Sequence, residues 1–289
     1  IKPGLGKGLV ASIGLAISDA TIGYLAHYEW WIPTLRFMKT TNTGENWEIV
    51  NTTGIPSDAI IVKILVDENN ADIVYALTGK ARFACSDPAL YRSIDGGSNW
   101  SRIGAVSGVF PNILDFDLHP TNANIIYMTS FEINAQGCNV ALWEYATNSG
   151  SFYKSTDAGQ TFQHITDHGG IISVGTNPNN ISLTEIILTD NNNSNSGTWK
   201  TTNGGNNWNR TGTVDGWNIQ CAHPDYAYVS SFSGLVKTLT KDRFDPNKLY
   251  GSFGQWTWSS TDGGDHIDNI SCTEVTSDHF ISTGLENIN

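Results

Sequence analysis

Charge is scarce in this chain. Charged residues make up 15% of its 289 positions, and 16 lysines and arginines stand against 28 acidic residues, a formal charge of −12. No basic cluster interrupts that balance, which argues against nucleic acid and anionic membrane surfaces as partners on electrostatic grounds. Long apolar runs are missing as well. No segment approaches the ~20 residues of a transmembrane helix, so membrane insertion is not expected. The four cysteines, Cys85, Cys138, Cys221 and Cys272, show no CxxC spacing, and the histidines show no paired spacing. A metal site is therefore not expected, and no cofactor is. Helical periodicity is also lacking: Gly, Asn, Ser and Thr punctuate the chain throughout, and no helix is predicted. What remains is 39% apolar residues, enough for a sizeable core.

What is present is repetition. Nearly the same nine residues occur five times: KTTNTGENW (39–47), RSIDGGSNW (92–100), KSTDAGQTF (154–162), KTTNGGNNW (200–208) and SSTDGGDHI (259–267). Self-similarity at such a period marks an array of small units that cannot bury their faces alone. The nine residues read as a hairpin. Tyr91, Tyr153 and Trp199 are expected to end an inward-facing strand. Asn42, Asp95, Asp157, Asn203 and Asp262 accept backbone hydrogen bonds and fold the turn. Gly44, Gly97, Gly159 and Gly205 supply a positive φ. Trp47, Trp100, Phe162 and Trp208 start the return strand and are expected to be buried at equivalent places. The repeated carboxylates are thus turn staples rather than catalysts.

A second repeat runs between the first. The stretches 18–26, 67–77, 119–129, 177–188, 223–231 and 244–253 each join a polar turn to a β-branched or aromatic run. An alternating strand usually precedes, such as IIVKILV (60–66) or ILDFDL (113–118). Together the repeats spell strand, turn, strand, variable loop, strand, nine-residue turn, strand. Units of this kind are expected near 10–50, 57–104, 111–166, 170–212 and 216–270. The last holds one unit or two compressed ones, with SGLVKT (233–238) as a shortened third strand. The tail 272–284 reads as a further strand pair. The expected fold is all-β: one propeller of six or seven four-stranded blades, forming a single domain over 1–289.

The nine-residue pattern resembles the Asp-box, or BNR repeat, of sialidases, xyloglucan hydrolases, sortilin-type receptors and a photosystem assembly factor. That resemblance implies a β-propeller, with a spelling closest to the xyloglucanase and sortilin types. It does not extend to a catalytic motif. Sialidases need three arginines around a carboxylate, with a Tyr/Glu pair and an Asp. Here the arginines are only Arg36, Arg82, Arg92, Arg102, Arg210 and Arg243, and no Arg-Ile-Pro precedes the first repeat. The Asp-Ile/Val-Gly-Gly context of the xyloglucanase aspartate is likewise absent from the first unit.

Candidate catalytic residues are accordingly few: Asp115 and Asp117, which alternate with core residues on one strand, and Glu274, with Asp278 of similar standing. The tryptophans outside the repeats offer more. Trp30, Trp31, Trp143 and Trp217 are candidate ligand or partner contacts, since flat rings on long loops stack on sugars or fill a partner's pocket. The cysteine spacing allows disulfides 85–138 and 221–272, or four free thiols. N-x-S/T sequons occur at Asn51, Asn99, Asn180, Asn192, Asn209 and Asn269. With the acidic composition and Asn-rich loops they fit a secreted or cell-surface protein. The chain opens on Ile1 rather than Met, so a signal peptide or larger upstream region is expected. Three functions follow as expectations: extracellular glycan recognition; glycoside hydrolysis, xyloglucanase-like or sialidase-like; and a structural or protein-binding role. The partner is then a glycan or another extracellular protein.

Overall fold

The computed structural model describes residues 9–29, 32–57, 59–79, 88–108, 111–131, 150–168, 170–177, 180–190, 197–212, 238–242, 245, 247–253, 256–263 and 268–269. Every regular element among them is a strand, and the strands form five four-stranded antiparallel sheets. The chain divides into two compact units, Ile1–Asp167 and His168–Asn289.

The first unit holds three sheets. They are β1 (Leu9–Leu15), β2 (Gly23–Glu29), β3 (Ile32–Thr40) and β4 (Glu48–Val50); β5 (Ile60–Val66), β6 (Val74–Gly79), β7 (Ala89–Ser93) and β8 (Ser101–Ile103); and β9 (Ile113–Leu118), β10 (Ile126–Phe131), β11 (Gly150–Ser155) and β12 (Gln163–Thr166). The second unit holds β13 (Gly170–Asn177), β14 (Asn180–Asp190), β15 (Gly197–Thr201) and β16 (Asn209–Gly212), then β17 (Thr238–Lys241), β18 (Leu249–Phe253), β19 (Trp256–Ser260) and β20 (Asp268–Asn269). In each sheet the strands pair in chain order. This is the blade the two repeats spell: the second repeat makes the first hairpin and the nine-residue repeat makes the third turn. The segments in which further blades would lie, 213–237 and 270–289, fall outside the described residues.

The register repeats from sheet to sheet. Tyr24 faces Lys39, Tyr75 faces Arg92 and Tyr127 faces Lys154 across the second and third strands. Each cation sits over its tyrosine ring, 5.4, 5.8 and 5.7 Å from the centroid, a favourable contact with the π face. Alternate residues then point into two cores. One fills the space between the first and second sheets with Tyr24, Phe37, Ile61, Ile64 and Trp100; the other joins the second and third with Leu90, Ile113, Phe116, Met128 and Phe162. Phe37 meets the edge of Trp100 at 5.2 Å. Each such side chain stabilises by about 1.5–3 kcal/mol on leaving water.

Three expectations need correction. Trp100 and Phe162 are buried, but Trp47 and Trp208 are only half-buried. The difference is positional. Trp100 N–H donates to Thr53 O, just after the last strand of the preceding sheet, at 2.8 Å, and Phe162 N–H donates likewise to Ala105 O at 3.1 Å. Trp47 and Trp208 lie in the first described sheet of their respective units. Of the strand-ending aromatics, Tyr91 is buried, whereas Tyr153 and Trp199 are half-buried. Finally, Thr238 does not close a shortened third strand; it opens β17, the first strand of the fifth sheet.

Candidate functional site

Four of the repeat turns are built alike, the described part of the fifth follows them, and the Asx side chain is not their innermost group. In the second repeat Asp95 Oδ1 accepts from Ser98 N–H, Asn99 N–H and the Ser93 hydroxyl, at 3.1, 2.9 and 2.8 Å. Ser93 Oγ in turn accepts from Gly97 N–H at 2.9 Å. Thr40, Ser155 and Thr201 accept from Gly44, Gly159 and Gly205 in the same way, and Ser260 donates to Asp262. All five hydroxyl residues are nearly inaccessible, 0–3% exposed. Asp95 is exposed at the turn surface, where bonds from the Asn99 amide, the Asn99 main chain and Ser93 hold its carboxyl down to about 2. Sequence reading named the Asx position and passed over this hydroxyl. Its signal was available: Ser or Thr stands second in all five copies.

The turn is then tied to the first hairpin of its own sheet. Thr43, Gly96, Ala158 and Gly263 donate their N–H groups to the carbonyls of Thr21, Asp72, Asn124 and Asn247. The two sequence repeats are thus two ends of one hydrogen-bonded unit.

A different polar arrangement lies on the first strands. In each of the first three sheets the ladder shifts register at one extra residue: Ala11, Val62 and Leu114. A bulge re-aims the residue that follows it. Those residues are Ser12, Lys63 and Asp115, a different polar side chain in each strand. Lys63 Nζ donates to Asp115 Oδ1 and to Phe116 O, both at 2.8 Å. Ser12 Oγ accepts from Ile64 N–H at 2.9 Å. Asp115 is buried, its side chain 5% exposed, while that of Lys63 is 29% exposed. Burial pulls the Lys63 ammonium down, but the carboxylates of Asp115 and Asp117 outweigh it and hold the group above the usual lysine range. Asp117 is half-buried and accepts from Leu118 N–H at 2.9 Å.

The structure therefore brings Asp115 and Asp117 together on β9 and gives Asp115 a cationic partner that sequence reasoning missed. Trp30, Trp31, Trp143, Trp217, Glu274, Asp278 and the four cysteines lie outside the described residues. Among the described residues no cluster of His, Cys, Asp and Glu has the makings of a metal site.

No protein-family profile matches the sequence, and no curated protein is similar to it. Solved structures are. A glycoside hydrolase family 74 enzyme from Niastella koreensis superposes with a TM-score of 0.56 at 18% identity, over 90% of this chain and 38% of that one. An ancestral enzyme of the same family gives 0.58 at 18%, over 93% and 32%. A gluconolactonase from Xanthomonas campestris gives 0.53 at 13%, over 92% and 76%. The chain spans about a third of the length of the two family 74 enzymes. At these identities the likeness shows the fold, an all-β propeller of four-stranded blades.

Proposed function

We propose that this chain is an extracellular, carbohydrate-interacting propeller built from Asp-box repeats, which recognises a neutral glycan without cleaving it. The observation that carries the reading is the fold likeness to family 74 glycoside hydrolases over nine-tenths of the chain. The serine and threonine hubs beneath each Asx residue support the Asp-box assignment. The acidic composition supports export and argues against polyanionic ligands. The pairing of Asp115 with Lys63 favours recognition over hydrolysis, because it ties up a described catalytic candidate. The second reading, a glycoside hydrolase related to xyloglucanases, is favoured by the same likeness. The ligand surface is assigned to Trp30, Trp31, Trp143 and Trp217, whose rings suit stacking on sugar faces; Trp30 and Trp31 do not belong to the long loop expected there, since β2 runs to Glu29 and β3 starts at Ile32.

The test is calorimetric titration with xyloglucan and cello-oligosaccharides alongside a reducing-end assay. Binding without release of reducing ends is expected. Loss of one stacked ring, in Trp30→Ala or Trp143→Ala, should weaken binding about tenfold at unchanged melting temperature, the effect of ~1.4 kcal/mol. Release of reducing ends would establish the hydrolase. No binding to any glycan, with both variants unaffected, would leave the structural role as the better account.

A further inference from the structure

We propose that Asn51 and Asn209 carry N-linked glycans and that the sequon at Asn99 does not. Sequence alone makes the three equivalent, since each begins N-x-S/T. The structure separates them. Asn99 belongs to the repeat turn: its side-chain nitrogen donates to Asp95 Oδ2 at 2.7 Å while its main-chain N–H donates to Asp95 Oδ1 at 2.9 Å. A sugar on that nitrogen would stand against the turn, on the atom that meets the carboxylate, and would compete with that contact. All three asparagines are exposed, but among the described residues the side-chain nitrogens of Asn51 and Asn209 have no partner.

Their placement gives the glycans a role. Asn51 follows β4 directly and Asn209 opens β16, and these are the last strands of their sheets. A last strand presents unpaired N–H and C=O groups, a template for pairing with another chain. Both strands are short, 3 and 4 residues. A bulky hydrophilic group there completes the protection that shortness begins.

The chemistry needs a donor that the chain does not hold: a polyprenyl-diphosphate-linked oligosaccharide, used by a membrane-bound transferase during export. The asparagine Nδ2 attacks C1 of the first sugar and loses one proton. The new Nδ2–C1 bond replaces the C1–O bond to the diphosphate, which leaves as the polyprenyl diphosphate. Nothing is oxidised or reduced. The inference requires export but does not depend on the chain binding a glycan itself.

Glycopeptide mass spectrometry of the protein from its own source tests this. Peptides spanning Asn51 and Asn209 should carry glycan, removable by an amidase that leaves aspartate, and those spanning Asn99 should be unmodified. Thr53→Ala and Thr211→Ala, expressed in the same source, should each abolish the glycan at one site and leave the other. Unmodified Asn51 and Asn209, or equal occupancy at Asn99, would overturn the assignment. A second readout is solubility: the doubly unglycosylated variant should aggregate sooner on concentration. Failure of glycan-binding assays would leave this result untouched, which keeps the two readings separable.

Discussion

At the scale of single residues, the nine-residue turn makes unequal demands that mutation should reveal. The hydroxyl hub is the costlier position. Ser155 is 1% exposed and accepts from Gly159 N–H and Asp157 N–H while donating to Asp157. Ser155→Ala strands those donors and should cost about 1–3 kcal/mol. Asp157→Ala removes an accessible acceptor and should cost about 0.5–2 kcal/mol, like loss of a helix cap. Denaturant midpoints would rank the two; a larger loss for Asp157 would contradict the hub. Acid should act through the carboxylates. Asp95 is held down to about 2 by Asn99 and Ser93, so its folded value lies below its unfolded one. Its contribution is present above the ordinary aspartate range near ~3.9 and is lost as pH falls through about 2. Asp95→Asn should therefore flatten the acid limb of the stability curve over that window. Backbone conformation offers two tests of opposite sign. Ala158 holds φ at +59° where other copies have Gly96 and Gly204, so Ala158→Gly should stabilise by about 0.5–1 kcal/mol, left-handed strain relieved less glycine's entropy. Gly97, at φ +89°, would place a Cβ 2.4 Å from Phe37 Cε1 of the preceding sheet. Gly97→Ala should cost about 2–5 kcal/mol from strain and overpacking together. Thermal unfolding of both variants checks the pair.

At the scale of elements, strand order was legible because two periodic signals overlapped. The nine-residue copies located the third turn of each sheet, and the polar-turn stretches located the first. Alternation in IIVKILV then placed β5 at residues 60–66, and ILDFDL placed β9 at 113–118. The bulges were not legible. Ala11, Val62 and Leu114 are apolar, so an extra residue there leaves the hydrophobic pattern intact while redirecting its neighbour. Lys63 consequently read as one polar residue in an apolar strand, and its partner lies on another sheet, 52 residues away. The pair can be tested as a unit. Lys63→Met leaves the Asp115 carboxylate buried without its ammonium and should cost about 3–5 kcal/mol. Adding Asp115→Asn should recover most of that loss, measured as the urea midpoint at constant m-value. The sign of the pH effect follows from the raised Lys63 value. Its contribution is full below the unfolded lysine range and declines as pH rises through the folded one. The wild-type protein should thus lose an alkaline increment of stability that the double variant lacks. An additive pair of substitutions would show that the contact has no energetic weight.

At the scale of the whole molecule, fold and function separate. The repeats determine the blades, and blades of this type support hydrolases, lactonases and non-catalytic proteins alike, so architecture does not select among them. The candidate ligand residues sit in segments that the repeat does not specify, where one blade's sequence says nothing about another's. Net charge acts at this scale, since it is summed over the surface rather than set by a loop. A formal charge of −12 on 289 residues repels polyanions at long range, and no run of basic residues in the sequence offsets it. The chain should therefore pass through heparin and DNA columns even at low salt. A neutral polysaccharide has no such term. Stacking and hydroxyl hydrogen bonds act at contact, within the ~8–10 Å over which physiological salt screens charge. Affinity for xyloglucan oligosaccharides should then change by less than about twofold between low salt and 0.5 M NaCl, while a polyuronate fails to bind at either. Titration calorimetry over that salt series decides the matter. Steeply salt-dependent binding to an acidic polymer would overturn the neutral-glycan reading; flat, measurable affinity for the neutral oligosaccharide is its expected signature.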